Sequence, residues 1–363
     1  MHHLCRLPRR FRMVGVLILC CLSLLAHGNP TAPVNDWQTI VRNTPYWSSQ
    51  GVYNNVLDIR RWVLEESGYC ADPERHLLFN HRGQFLGYTS NALTSEETQQ
   101  RLNRLREKLA REGRASAWTP GADGTTGYPF ALACDQPHAR LEEARSRYLG
   151  DDPKARLWGR WDDLDFASPE SPGTLHDALL YVYSTRSNQQ RQSLPQELPR
   201  YLAGMLMIES GGRARAHSIA DARGIMQLTP QVLSDCGVAP RNHWHRLAQL
   251  DCAIKLMSQN ARILEPAINT YFAELPTAKR ERLFTLLLIQ AYHGGATRVR
   301  RLLDDDDLNG PAQYFAEYHE RFSAGDIAFG MIFHNLGRDR LGLASLYYVA
   351  DVELATQAIA RSF

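Results

Sequence analysis

The chain has 363 residues, a length that suits about two domains. Charged residues make up 22% and hydrophobic ones 44%, a globular balance that excludes a disordered or fibrous chain. Lys+Arg is 41 against Asp+Glu 39, and a net charge of +2 argues against a dedicated nucleic-acid binder, whose domain would carry a strong basic excess.

The first segment reads as an address. Arg6, Arg9, Arg10 and Arg12 form a positive region, and Val14 to Ala26 is an apolar run of 13 residues, short for a bilayer span. Ala26-His27-Gly28 places small residues at the −3 and −1 positions of a cleavage site. Residues 1–28 are therefore expected to be a secretory signal peptide, and the mature chain to be exported to the periplasm or cell envelope.

Residues 29–190 are expected to form a mostly helical accessory domain with a small β-hairpin. Val56, Ile59, Trp62 and Val63 recur at helical spacing within Asn54 to Glu66. His76 to Tyr88 places apolar pairs on both sides of Asn80-His81-Arg82-Gly83, a hairpin signal. Thr94 or Ser95 caps the next helix, with Glu96 and Glu97 in its first turn. Trp118 to Tyr128 is loop, Pro137 to Tyr148 a further helix, Phe166 to Gly173 a Pro/Ser linker, and Leu175 to Tyr183 helix again. Trp37, Trp47, Trp62, Trp118, Trp158 and Trp161 concentrate in this half. Their flat apolar faces and polar edges suit pyranose rings as well as the core of such a segment. If it folds separately, deleting residues 29–165 leaves a folded C-terminal domain.

Cysteine usage agrees with export. Cys5, Cys20 and Cys21 leave with the signal, and Cys70, Cys134, Cys236 and Cys252 remain. Pairing Cys70 with Cys134 and Cys236 with Cys252 keeps each disulfide within one domain. The second closes a loop worth on the order of 3 kcal/mol. Four buried free thiols are the alternative.

Residues 191–363 read as a helical domain. Pro195 to Glu209 is an apolar helix, Thr229-Pro230 opens another, Leu247 to Leu264 is long and amphipathic, and Leu283 to Tyr292 is apolar on nearly every side, ending at Gly294-Gly295. Leu202, Met205, Leu206 and Glu209 share one helical face. Glu209 thus sits on an apolar face just before Ser210-Gly211-Gly212. Desolvation there raises a carboxyl pKa, as a general acid requires. The alternative is an exposed Glu at a frayed helix end.

The blocks that follow bear on that choice. Glu209-Ser210 precedes Ala216-His217-Ser218, then Ala222-Arg223-Gly224-Ile225-Met226-Gln227-Leu228-Thr229-Pro230, then Ala291-Tyr292-His293-Gly294-Gly295, with Tyr348-Val349 near the end. This series, over about residues 191–355, resembles the soluble lytic murein transglycosylase family, whose catalytic domain is lysozyme-like. The resemblance implies a mainly α fold and peptidoglycan glycan strands as substrate. It implies Glu209 as the catalytic acid/base, Ser210 as a hydroxyl orienting substrate or the Glu, and Ser218, Met226, Gln227, Tyr292, His293 and Tyr348 as cleft residues. Tyr347 is the alternative to Tyr348 if the register is off by one.

Three positions depart from the family pattern. Asp221 stands for a Gly, His293 for the Asn of A-Y-N, and Ala344-Ser345 for Glu-Thr. The implied reaction leaves a 1,6-anhydromuramyl end and needs no cofactor and no metal. The chain has no H-E-x-x-H and no paired C-x-x-C. Two other readings remain: a hydrolytic muramidase with Asp221 positioning water, and a non-catalytic glycan-binding component of an envelope secretion or conjugation apparatus.

Overall fold

The computed structural model describes residues 52–65, 75–79, 85–90, 92–114, 130–132, 140–189, 194–336, 338–339 and 341–361. The expected signal peptide, Cys70, Cys134 and the expected bond between them lie outside the described residues. The described residues all belong to one compact unit, Thr44–Phe363.

The fold is mainly α. Helix α1 (Val52–Glu65) is followed by strands β1 (Arg75–Phe79) and β2 (Phe85–Ser90). These pair antiparallel, with Arg75 opposite Ser90 and a register shift at Leu78/Phe79. A third strand, β3 (Phe130–Leu132), adds to the other edge of β1, giving the order β2-β1-β3. Sequence periodicity did not reveal β3, because three residues are too few to show an alternation. Helix α2 (Ser95–Arg111) opens with a capping box: Thr94 Oγ1 accepts from the Glu97 N–H at 3.2 Å, and Glu97 Oε2 accepts from the Thr94 N–H at 3.3 Å.

Helix α3 (Leu141–Leu149) and the small hairpin β4 (Gly159–Trp161) and β5 (Leu164–Phe166) lead into α4 (Leu175–Gln189). The stretch expected to be a linker, Phe166 to Gly173, is folded structure. Ser168 and Ser171 exchange backbone hydrogen bonds, and Gly173 pairs with Leu157 in both directions at 2.9 and 3.0 Å. Its Pro and Ser residues serve a tight turn rather than a free tether. Trp161 donates Nε1–H to buried Asp251 at 3.0 Å, and Arg186 of α4 pairs with the same carboxylate at 2.6 Å. Trp158, by contrast, is 51% exposed.

The remaining helices are α5 (Leu198–Ser210), α6 (Pro230–Asp235), α7 (Arg246–Tyr271), α8 (Thr277–Gly294), α9 (Ala296–Asp304), α10 (Gly310–Glu317), α11 (Ala324–Asn335) and α12 (Leu343–Ala360). Thr229 caps α6 as expected, its side chain accepting from the Val232 N–H. The disulfide Cys236–Cys252 ties the end of α6 to α7. His245 of the His243-Trp244-His245 run caps α7 through Nδ1, accepting from the Ala248 N–H at 3.3 Å.

Helix α12 is the centre of the fold, with every residue from Ser345 to Thr356 buried. It packs on α5, α1, α8 and α11. The contacts with α1 cross the domain boundary expected at residue 190. Its approach to α5 is set by Gly204: a Cβ there would stand 2.6 Å from the Val352 carbonyl oxygen, a backbone atom that cannot swing away. Gly204→Ala is therefore expected to lower unfolding free energy by about 1–3 kcal/mol. Urea denaturation checks this; an unchanged midpoint would mean that the two helices separate freely.

Candidate active site

Helix α5 ends where its chemistry begins. Leu198 and Tyr201 to Met207 are buried, Glu209 is half-buried, and Gly211 terminates the helix at φ 62° with its N–H bonded to Met207 O. The apolar face inferred from Leu202, Met205 and Leu206 is the face packed into the core. It carries Glu209 to the edge of that core.

Across the helix pair, Tyr348 of α12 donates its hydroxyl to Glu209 Oε1 at 2.6 Å. Burial pushes the Glu209 carboxyl up to about 7, with the Tyr348 hydrogen bond acting in the opposite sense. Burial, followed by the nearby Glu209 charge, holds the Tyr348 and Tyr292 phenols well above their ordinary value, so both stay protonated donors. Tyr292, from the end of α8, donates to the Met226 carbonyl at 2.6 Å. His293 stacks on Tyr348, with ring centroids 4.5 Å apart and planes 16° from parallel. The structure thus brings Glu209, Tyr292, His293 and Tyr348 together from three helices.

The loop between α5 and α6 closes the site from the other side. Ser210 and Met226 are fully buried. The Ser210 hydroxyl donates to Ile225 O at 2.8 Å and accepts from the Gly212 N–H at 3.0 Å, so it pins the loop to the helix end. Met226 contributes backbone: its N–H donates to Gln249 Oε1 at 2.9 Å, and its carbonyl accepts from Tyr292. Gln227, at φ 47°, donates its side-chain amide to Ala216 O and Gly224 O. Ser218 accepts from the Ala222 N–H at 3.0 Å and braces its own turn.

Gln249 of α7 is the hub that sequence reasoning missed. Its buried amide donates to Arg223 O at 2.7 Å and His243 O at 2.6 Å while accepting from Met226. Gly224 sits at φ 71° directly against it, and any Cβ there would overlap that amide. The visible signal was a lone Gln inside the buried run Leu247-Ala248-Gln249-Leu250, since a buried amide needs partners.

Asp221 is fully engaged. Arg223 grips both its carboxylate oxygens at 2.9 Å, and His217 Nε2 lies 2.7 Å from Oδ1. These partners, His217 first, hold the Asp221 carboxyl below its ordinary value. Among the described residues no group of three or more His, Cys, Asp or Glu is placed to hold a metal ion.

Residues 186–314 match the family model described as the transglycosylase SLT domain. Over these residues the chain is similar to the SLT domain. Proteins of this family are lytic transglycosylases, which supports an enzyme acting on peptidoglycan. No curated protein matches the chain in sequence. The SLT match holds Glu209, the loop through Gln227, and Tyr292-His293. It ends before α11 and α12, so Tyr348, the hydrogen-bond donor to Glu209, comes from outside the matched segment. No helix among the described residues is long and apolar enough to cross a membrane.

Proposed function

We propose that the chain is a peptidoglycan lytic transglycosylase that cleaves the bond between N-acetylmuramic acid and N-acetylglucosamine and leaves a 1,6-anhydromuramyl end. The observation that carries this reading is a buried carboxyl, Glu209, raised to about 7 beside a phenol donor. An ordinary glycosidase pairs two carboxyls within about 5–9.5 Å. The candidate for the second, Asp221, is occupied by Arg223 and His217.

In this reading protonated Glu209 gives its proton to the glycosidic oxygen as the bond to C1 of the muramyl residue breaks. The 2-acetamido oxygen bonds to C1 in its place. Glu209, now a carboxylate, takes the proton of the C6 hydroxyl as that oxygen attacks C1 and expels the acetamido group. Atoms balance without water, and the acid is regenerated. One group serves both steps because its pKa lies near neutrality. The Cys236–Cys252 disulfide supports export to an oxidising compartment.

Mass spectrometry of digested sacculi tests the chemistry. Anhydro ends are expected. Reducing ends would make the protein a hydrolase, and intact sacculi that still bind it would make it a glycan-binding component. The pH profile tests the acid. Because Glu209 must start protonated, kcat/KM should fall as pH rises through about 7. An alkaline limb near the ordinary carboxyl range of about 4.3 would rule out this environment for the working acid.

A further inference from the structure

We infer that His293 is a positioning residue, whose imidazole face holds the Tyr348 phenol in the orientation that donates to Glu209. This rests on the reading of Glu209 as the acid/base. Tyr348 is 7% exposed, whereas His293 on the adjoining helix end is exposed. With the rings near-parallel at 4.5 Å, the imidazole is a layer between the phenol and solvent. A phenol held by one hydrogen bond can still rotate about its side-chain bonds; a flat group against its face removes that freedom. An amide at this position, the residue the family pattern carries, has no ring with which to cover Tyr348.

The charge state agrees with this role. Although the residue as a whole is exposed, desolvation of the ring by the groups packed around it, then the Arg298 charge, lowers the His293 ring to about 4, so it stacks as the neutral form at the pH where Glu209 works. Arg298 is itself fixed on α9, with Nη1 donating to Gly294 O at 2.6 Å. An imidazolium beside Tyr348 would favour the Glu209 carboxylate and pull its pKa down. The groups that bear on this pair are Tyr348 from α12, Tyr292 from α8 and Arg298 from α9.

Three variants assayed on soluble glycan strands test the inference. His293→Ala should lower kcat roughly tenfold or more, with KM little changed. Its alkaline limb should move upward, since Glu209 loses the bond that favours its charged form. His293→Phe, which keeps a flat face and removes both nitrogens, should restore most of the rate and the limb. In the Tyr348→Phe background, His293→Ala should shift the pH profile no further. A change confined to KM, a His293→Phe as impaired as His293→Ala, or a full shift in the Tyr348→Phe background would overturn the positioning role. An active Glu209→Gln would instead sink the reading of the acid on which the inference rests.

Discussion

Glu209→Gln should leave the fold intact and abolish glycan cleavage. Gln is nearly isosteric and can still accept from Tyr348, but it has no proton to give the leaving oxygen and no base to take one from C6. General acid–base catalysis contributes about 10²–10⁴-fold per step, and here one group serves both, so a loss of at least 10³-fold is expected. The same substitution should stabilise the protein at pH 8. The Glu209 pKa is raised on folding, so the folded state favours its neutral form; the stability this group contributes is fully present below the unfolded pKa and is lost as pH rises through about 7. Above that pH the ionised group costs on the order of 3 kcal/mol relative to a neutral side chain. Thermal melts at pH 4 and pH 8 should therefore show Gln equal to Glu at the lower pH and higher-melting at the upper. A variant that melts lower at pH 8 would show that Glu209 is not held in an apolar setting. Turnover retained within tenfold would remove it as the acid.

Arg60→Met should destabilise the protein by about 3–5 kcal/mol, the cost of leaving a buried carboxylate without its partner. Arg60 of α1 grips Asp351 of α12 through two bonds of 2.6 and 2.7 Å, with both side chains almost wholly buried. Its guanidinium also lies 4.9 Å over the Tyr347 ring. Asp351 is already above its ordinary value through burial, with Arg60 pulling it back down. Removing Arg60 lets it rise further, so the defect should shrink as pH falls and the carboxyl becomes neutral. Adding Asp351→Leu should recover most of the loss, because two apolar groups need no pairing. Urea unfolding of the four proteins gives the coupling directly; additive effects of the two single changes would mean that the pair is not a unit. The consequence reaches the site, since Asp351 lies one helical turn beyond Tyr348. It also changes the expectation for truncation. Deleting residues 29–165 removes Arg60 together with Tyr53, which packs edge-on against Phe329 and whose N–H donates to Asp326. The remaining chain should then be strongly destabilised.

Much of this protein was determined locally. Helical periodicity placed α5, α7 and α8 but not α9 to α12, and Thr94 and Thr229 announced their caps because a side-chain oxygen at a helix start satisfies an otherwise unpaired N–H. The Cys236–Cys252 pair followed from keeping each disulfide within one expected domain. Glu209 was legible as a carboxyl on an apolar face ahead of two glycines, and its raised pKa follows from that placement. The roles of Ser210, Met226 and Gln249 were not legible, because motif spacing reports which residues gather near a site and not whether a side chain or a backbone faces it. The choice between Tyr347 and Tyr348 shows the limit most clearly. Neighbouring residues on a helix point roughly 100° apart, so either could have met Glu209. The close approach of α5 and α12 at Gly204 fixes the rotation of α12: Tyr348 turns to Glu209, 139 residues away in sequence, and Tyr347 turns to Arg60. Local spacing sets which residues share a helix face; only the packing of one helix on another sets what that face meets.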